Sequence, residues 1–273
     1  MWTHRSALAS LRNGAGFVRL LAGALLATAV AFAAFRLKTL TAGGALAAVV
    51  IGTIVFACGT WVYTAVLFAF FLPSIVLSRT GRARKKQLRD IGKHGPRDAR
   101  QVAANGGVAA ICALLSLRFP HAAAGFAGAF AAASADTWAT EIGTLAKQQP
   151  RSILTLRPLQ AGFSGGITVT GTIAQACGAV LLATVAALLG AGNLAAIALG
   201  GFAGATIDSL AGASVQALRY CARCNRDCET NPHSCGSSTV VRRGFAPVDN
   251  DAVNLLATAG GALIAYLLSI RTS

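Results

Sequence analysis

Long apolar runs with almost no charge recur along the whole chain, and they restrict its fold more than any other feature. Each run approaches the roughly 20 residues that a helix needs to cross a bilayer. Inside a bilayer every backbone N–H and C=O needs an internal partner, so such runs form helices. Only 12% of the 273 residues are charged, about half the share of a soluble domain, and the mean hydropathy is +0.60. The sequence therefore predicts an all-α polytopic transmembrane helix bundle with a single integral membrane domain over residues 1–273.

About eight spans are predicted, with seven as the lower count. Gly59 and Thr60 predict a tight turn between the second and third spans. Two polar loops separate groups of spans, a basic loop over 79–100 and a Cys/His-rich loop over 219–248. The predicted spans are Phe17–Phe35, Leu40–Ala57, Trp61–Leu77, Val102–Leu117, His121–Thr144, Ile167–Leu189, Leu194–Leu218 and Asp251–Ile270.

Lysine and arginine are concentrated after the first, third, fifth and seventh spans. The positive-inside rule makes those connections cytoplasmic, in an inner or plasma membrane of bacterial type, although the basic N-terminal residues and Arg271 oppose this orientation. Basic residues beside a span attract anionic membrane lipids or phosphorylated ligands, whereas no fold or motif for binding nucleic acid accompanies them. The basic loop holds Arg79, Arg82, Arg84, Lys85, Lys86, Arg89, Lys93, Arg97 and Arg100.

Three acidic groups lie at membrane level, in a chain with only nine carboxylates. Asp136 and Glu141 end a long uncharged run, Asp208 lies within the seventh span, and Asp249 and Asp251 begin the eighth. A carboxylate within a span costs about 2.5–3.5 kcal/mol on insertion scales and usually faces a bundle interior or a wet cavity. The topology places all three groups at one depth on the cytoplasmic side, which predicts a single site.

Small residues at four-residue spacing lead up to two of these acids. Gly128 and Ala132 precede Asp136, and Gly200 and Gly204 precede Asp208. Such ladders allow helices to approach closely in a membrane, so both carboxylates are expected to point at a neighbouring helix. The alternatives are interhelical hydrogen bonding by Asp208, a solvated helix end at Asp136, and helix capping by Asp249.

Residues suited to phosphate flank the acids. Arg97, Gln101 and Asn105 follow one another at four-residue spacing, and Arg97 could clamp a phosphate bidentately. Positive-inside charge is the alternative interpretation of Arg97. Gly165 and Gly166 open the sixth span, where free N–H groups and the helix dipole favour an anion.

A cysteine and histidine cluster lies in the last polar loop. Cys221 and Cys224 together with His233 and Cys235 provide four ligands at a spacing that fits a structural zinc site, and Cys228 could substitute for one of them. A cytoplasmic loop disfavours disulfides, which leaves free structural thiols or redox chemistry as alternatives.

Together these motifs resemble a family of integral membrane proteins, long catalogued as a domain of unknown function, that includes the plant chloroplast phytyl-phosphate kinase. The resemblance extends from about Leu40 to the C-terminus. Phe163 and Ser164 depart from it at a turn where the family tends to have small or amide-bearing residues, and Cys228 is an extra thiol. The resembling segments are Arg97 with 101–107, 134–143, 165–172, 208–216, the Cys/His-rich loop and 249–254.

The resemblance implies Mg²⁺-dependent phosphoryl transfer from a nucleoside triphosphate to a prenyl (phytyl-like) monophosphate, giving the diphosphate. Asp136, Asp208 and Asp251 would hold Mg²⁺, supported by Glu141 and Asp249. A transporter or lipid flippase is the alternative, because intramembrane carboxylates are equally typical of ion-coupled pathways; a membrane scaffold is a third. The residues expected to contact substrate and phosphates are Arg97, Gln101, Asn105, Thr137, Gly165, Gly166 and Asn254.

Overall fold

The computed structural model describes residues 14–81 and 95–271, and within them it is a bundle of helices with two small sheets. Most of the basic loop, residues 82–94, lies outside the described residues, as does the N-terminal tail up to residue 13. The helices are α1 (Gly14–Arg36), α2 (Ala42–Arg79), α3 (Ala99–Ser116), α4 (Ala122–Gly143), α5 (Val169–Leu188), α6 (Leu194–Ser214) and α7 (Asn250–Arg271).

Helix α2 contains two of the predicted spans, and the chain reverses between them. Thr60 has a non-helical backbone (φ 50°, ψ −132°). Arg79, at the end of α2, donates a hydrogen bond to the carbonyl of Leu37, just before its start (3.2 Å). A straight helix of 38 residues would hold these ends about 57 Å apart. The turn predicted at Gly59 and Thr60 is therefore confirmed, and α2 forms two antiparallel halves.

Within the described residues, five helices are long and apolar enough to cross a membrane: α1 from Gly16 onward, α2, α5, α6 and α7. Helix α4 is less apolar because it is made largely of alanine and glycine. Its first part lies at the centre of the bundle, where residues 124–135 are all buried. A helix covered by other helices rather than by lipid does not need large apolar side chains, which explains its composition.

The two small-residue ladders meet at one seam, where the helices approach as closely as such ladders allow. A Cβ added at Gly204 in α6 would lie 2.5 Å from the Cβ of Ala132 in α4 and 2.7 Å from the carbonyl of Ala257 in α7. Three helix backbones therefore pack in direct contact at this level. On the second half of α2, the ring of Tyr63 stacks on Phe126 of α4, with centroids 4.2 Å apart.

Several connections meet at one end of the bundle. The backbone N–H of Thr41 donates to the carbonyl of Arg97 (3.0 Å), and Arg100 forms an ion pair with Asp249 (3.1 Å). At the other end, Ser269 lies 3.4 Å from the imidazole of His121. The connections predicted to share one membrane face thus lie together.

Two helix boundaries need correction, and the structure adds two small sheets to the predicted helical bundle. Helix α5 begins at Val169 rather than Ile167, because Gly166–Ile167 (β2) pairs with Arg151–Ser152 (β1). Helix α6 ends at Ser214 rather than Leu218, because Leu218–Cys221 (β3) is the central strand of an antiparallel sheet. Its neighbours are Arg226–Cys228 (β4) and Val240–Arg243 (β5). The helical bundle is confirmed, and the Cys/His-rich loop adds strands that the sequence pattern did not predict.

Candidate functional site

A cavity of about 1410 Å³ lies at the end of the bundle where these connections meet. Its walls come from α2, α3, α4, α5, α6 and α7 and from the loops between them. Most of the predicted site residues line it: Arg97, Gln101, Asn105, Asp136, Thr137, Glu141, Gly165, Gly166, Asp208 and Asn254. Residues from five predicted segments therefore share one space.

Asp136 and Asp208 enter this cavity from the seam of small residues. Each lies four residues beyond a seam residue, Ala132 or Gly204, and so one helical turn nearer the cavity. Asn254 occupies the matching level on α7, three residues before Ala257. The two carboxylates interact electrostatically, and Asp208 Oδ2 is buried without a hydrogen-bond partner in the part of the chain that the structure describes. Two neighbouring acids of this kind need a cation or a proton.

Arg97 supplies positive charge to the cavity wall. Its N–H donates to the carbonyl of Thr39 (2.9 Å) and its carbonyl accepts from Thr41 (3.0 Å), so the connection between α1 and α2 fixes its backbone. Burial lowers the pKa of its guanidinium, and the carboxylates of Glu141 and Asp136 oppose that shift. The cavity thus contains carboxylates and a guanidinium within electrostatic range of one another.

Gln101 has a structural role in addition to its place on the cavity wall. It forms a capping box with Asp98: its N–H donates to Asp98 Oδ1 (2.9 Å), and its Oε1 accepts from the Asp98 N–H (3.1 Å). These bonds stabilise the first turn of α3. They thereby fix the start of the helix between Arg97 and Asn105, which both line the cavity.

Asp249 and Asp251 do not line the cavity, which changes the predicted magnesium ligand set. Asp249 caps α7 by accepting from the N–H groups of Asp251 and Ala252, both at 3.1 Å. Arg100 lies 3.1 Å from Asp249 and 3.9 Å from Asp251. The capping alternative is therefore confirmed for Asp249, and Arg100 holds both acids at the start of α7.

The predicted anion site at the start of the sixth span also needs correction. Two first-turn N–H groups of α5 already have side-chain partners, since Gly171 donates to Thr168 Oγ1 (2.9 Å) and Thr170 to Gln148 Oε1 (3.2 Å). Gly165 ends the turn before β2 and Gly166 is the first residue of β2, and both line the cavity. Gly165 has a positive φ of 78°, and a Cβ on it would lie 2.6 Å from Ala213 Cα. The turn therefore fits closely against α6.

Glu229 and Ser164 are wall residues that the sequence did not indicate. Glu229 accepts from the Ser164 N–H (2.8 Å) and hydroxyl (2.9 Å), and Gln216 donates to the same hydroxyl (2.8 Å). Glu229 also interacts electrostatically with Asp208. Glu229 is one of only nine carboxylates in the chain, and this scarcity was the available signal. Its partner Ser164, however, lies 65 residues away in the sequence.

The Cys/His-rich loop brings Cys221, Cys224, His233 and Cys235 together, with their ligand atoms all within 4.8 Å of one another. Cys228 is not in this group, and its thiol lies 3.7 Å from the carbonyl of Thr230. Among the described residues no other group of three or more Asp, Glu, His and Cys is as compact, so Asp136, Asp208 and Asp251 do not form one.

An apolar pocket of about 110 Å³ adjoins the charged cavity. It lies between α1, the two halves of α2 and α3, and Phe56, Phe68 and Phe130 are among its lining residues. Five residues line both spaces: Leu40, Phe71, Arg97, Gln101 and Asn105. The charged and apolar spaces therefore meet at the wall that carries Arg97.

Comparison with known proteins identifies relatives of this chain. Protein PGR of Arabidopsis thaliana is 29% identical over 173 residues, which are 57% of this chain and 60% of PGR. The uncharacterized membrane protein MJ0933 of Methanocaldococcus jannaschii is 30% identical over 167 residues, 60% of this chain and 69% of that protein. The uncharacterized membrane protein sll0875 of Synechocystis is 31% identical over 143 residues, covering 50% of this chain and 55% of its own length.

No solved structure matches the chain. The family model described as integral membrane protein DUF92 matches residues 25–262, which include every cavity residue discussed above. The chain therefore belongs to the DUF92 family of integral membrane proteins.

Proposed function

We propose that this protein transfers the γ-phosphoryl group of a nucleoside triphosphate to a prenyl (phytyl-like) monophosphate and so forms the diphosphate. One observation carries the proposal: a charged cavity and an apolar pocket share a wall that contains Arg97, Gln101 and Asn105. A lipid phosphate has two matching parts, a dianionic head that suits the charged cavity and a hydrocarbon tail that suits the apolar pocket. Its head fits beside Arg97, with its chain between α1 and α2.

The carboxylates suit Mg²⁺, which takes a few carboxylate oxygens together with waters and substrate phosphates. Asp136 and Asp208 would hold it, because they are neighbours across the seam and Asp208 Oδ2 is a buried oxygen without a partner among the described residues. Asn254 replaces Asp251 as the third residue at this level. When bound, Mg²⁺ neutralises charge on the transferring phosphates.

The reaction would run as an in-line displacement. An oxygen of the prenyl monophosphate forms a bond to the γ-phosphorus, and the bond from that phosphorus to the bridging β–γ oxygen breaks. The electron pair leaves with the nucleoside diphosphate. Arg97 orients the accepting phosphate and offsets its charge, and catalysis consists mainly of this positioning and charge neutralisation.

We propose that the cavity faces the cytoplasm, where nucleoside triphosphates are available. The connections at the cavity end carry many basic residues within the described ranges, including Lys38, Arg79, Lys147, Arg151 and Arg157. The positive-inside rule makes such connections cytoplasmic.

The test is a screen of purified full-length protein against several nucleoside triphosphates and prenyl monophosphates of different chain length, with products identified by mass spectrometry. We expect a prenyl diphosphate and a nucleoside diphosphate in equal amounts, and we expect EDTA to stop their formation. Absence of diphosphate, together with movement of prenyl phosphate across liposomes without nucleotide consumption, would support a transporter or flippase instead.

A further inference from the structure

We propose that Cys221, Cys224, His233 and Cys235 bind one zinc ion that holds the Cys/His-rich loop against the cavity wall. This site is separate from the acids of the cavity and goes beyond the proposed phosphoryl transfer. With four protein ligands the ion has no open position for substrate, so its role is structural.

The distances agree with tetrahedral zinc. Zinc–sulfur bonds of about 2.3 Å and zinc–nitrogen bonds of about 2.0 Å place neighbouring ligand atoms roughly 3.5–3.8 Å apart. Cys221 Sγ and Cys235 Sγ are 3.6 Å apart, and Cys224 Sγ lies 3.6 Å from His233 Nδ1. One ion can therefore reach all four residues with little rearrangement.

Two tight turns present the ligands. Cys221 is the last residue of β3 and pairs with Arg226 of β4, so Cys224 lies in the turn between these strands. His233 begins a second turn, in which the Gly236 N–H donates to the His233 carbonyl (2.8 Å). Each turn contributes one pair of ligands, an arrangement that accounts for the short spacing within each pair.

The sheet of this loop is small. Its three strands are only three or four residues long, and all four residues of β5 are exposed. Cys221 and His233 are nonetheless buried. A sheet of this size cannot build a sufficient apolar core, and small domains of this kind commonly depend on a metal for folding.

The ion would also support the cavity wall. Glu229 directly follows Cys228 and holds Ser164 through two hydrogen bonds. Because Glu229 lies in the sequence between the two ligand pairs, fixing those pairs fixes the segment that carries it. Zinc is thus expected to act on the cavity through position rather than through contact with substrate.

The experiment is metal analysis of the full-length protein purified without chelator, by inductively coupled plasma mass spectrometry. We expect about one zinc per chain, falling at least fivefold in Cys221→Ser and Cys235→Ser. Cys228→Ser is the matched control, a buried thiol in the same loop outside the ligand group, and should retain the wild-type amount. Equal loss in all three variants, or no zinc in the wild type, would overturn the proposal.

A second measurement keeps the test valid if the ligand variants fail to fold. Wild-type protein stripped by a chelator is titrated with Co²⁺, and thiolate-to-cobalt charge-transfer absorption saturating at one ion per chain is expected. Separately, freshly purified protein is alkylated at its free thiols and examined for disulfides by peptide mass spectrometry. Absence of the absorption, or a disulfide between Cys221 and Cys235 in freshly purified protein, would contradict the zinc site.

Discussion

At the residue scale, Asp208 combines burial with a missing partner. Its Oδ2 is buried and accepts no hydrogen bond from the described residues, and the carboxylates of Asp136 and Glu229 lie within electrostatic range. A buried group in this state destabilises the fold unless a ligand compensates it. A bound proton would compensate it, as would the cation of the proposed function.

We therefore expect Asp208→Asn to leave the unfolding temperature in detergent, measured without Mg²⁺, unchanged or raised. The substitution keeps the shape and removes a charge that repels its neighbours. Asp227→Asn is the control, since Asp227 forms an exposed ion pair with Arg242 (3.0 Å) that contributes about 0.2–1 kcal/mol at most. A fall in unfolding temperature for Asp208→Asn well beyond that of the control would assign Asp208 to interhelical hydrogen bonding.

Several site residues could be predicted from the sequence because local spacing determines where they lie. Asp136 and Asp208 continue ladders of small residues, and a helix places every fourth residue on one face. The place of Asp251 at the start of a helix could also be predicted from the sequence. Its carboxylate, however, lies beside Arg100, which belongs to another helix. Glu229 could not be predicted, because its position depends on contacts between distant segments.

At the element scale, the packing of α4, α6 and α7 depends on the absence of side chains at their seam. Gly204→Ala would place a methyl group 2.5 Å from Ala132 Cβ and 2.7 Å from the Ala257 carbonyl. We expect it to lower the stability of the bundle by about 1–3 kcal/mol, the usual cost of overpacking.

Gly107→Ala is the matched control, because it is also a helical glycine but has nothing within 4 Å of an added Cβ. Alanine there should be neutral or should stabilise by up to about 1 kcal/mol through helix propensity. Unfolding of both variants in the same detergent is the measurement. Equal effects of the two substitutions would contradict the close seam.

The turn that carries Gly165 is held to the Cys/His-rich loop by Glu229. Glu229→Gln removes the charge from both hydrogen bonds to Ser164 and turns one acceptor into a donor, and charged hydrogen bonds contribute about 1.5–3 kcal/mol. We expect faster hydrogen exchange across residues 162–166, measured by mass spectrometry. Unchanged exchange in that segment, with Asp227→Asn as the reference, would show that the turn does not depend on Glu229.

Helices of the bundle were more predictable than the loops for a physical reason. Hydropathy reports burial in lipid or protein, and the turn at Gly59 and Thr60 is marked by residues that break a helix. The strands β1 to β5 are two to four residues long and carry no alternating pattern. Their positions follow from pairing with distant segments, which periodicity does not report.

At the scale of the whole molecule, the arrangement of the ends makes a topological prediction. The C-terminal end of α7 lies at the opposite end of the bundle from the cavity, where Ser269 approaches His121 (3.4 Å). If the cavity faces the cytoplasm, a reporter fused after the C-terminus lies on the far side of the membrane. We expect an alkaline phosphatase fusion to be active and a green fluorescent protein fusion to be dark, whereas the reverse would place the cavity outside the cytoplasm.

The family is established by sequence, whereas the chemistry proposed for this chain rests on the combination of charged cavity and apolar pocket. Neither space was visible in the sequence, since each is bounded by residues from at least four segments. The carboxylates, Arg97 and the amide side chains could be named from the sequence. The pocket between α1 and α2 could not, because it forms only when α2 reverses at Thr60.

The most direct test of the central claim compares the wild type with Asp136→Asn in Mg²⁺-dependent phosphoryl transfer to a prenyl monophosphate. Both proteins should unfold at similar temperatures, and Asp227→Asn serves as the control for an acid outside the cavity. We expect the wild type and Asp227→Asn to form prenyl diphosphate at similar rates and Asp136→Asn to be slower by at least about 100-fold, in line with the loss of a group that stabilises transition-state charge. Equal rates for the wild type and Asp136→Asn would contradict the proposed site.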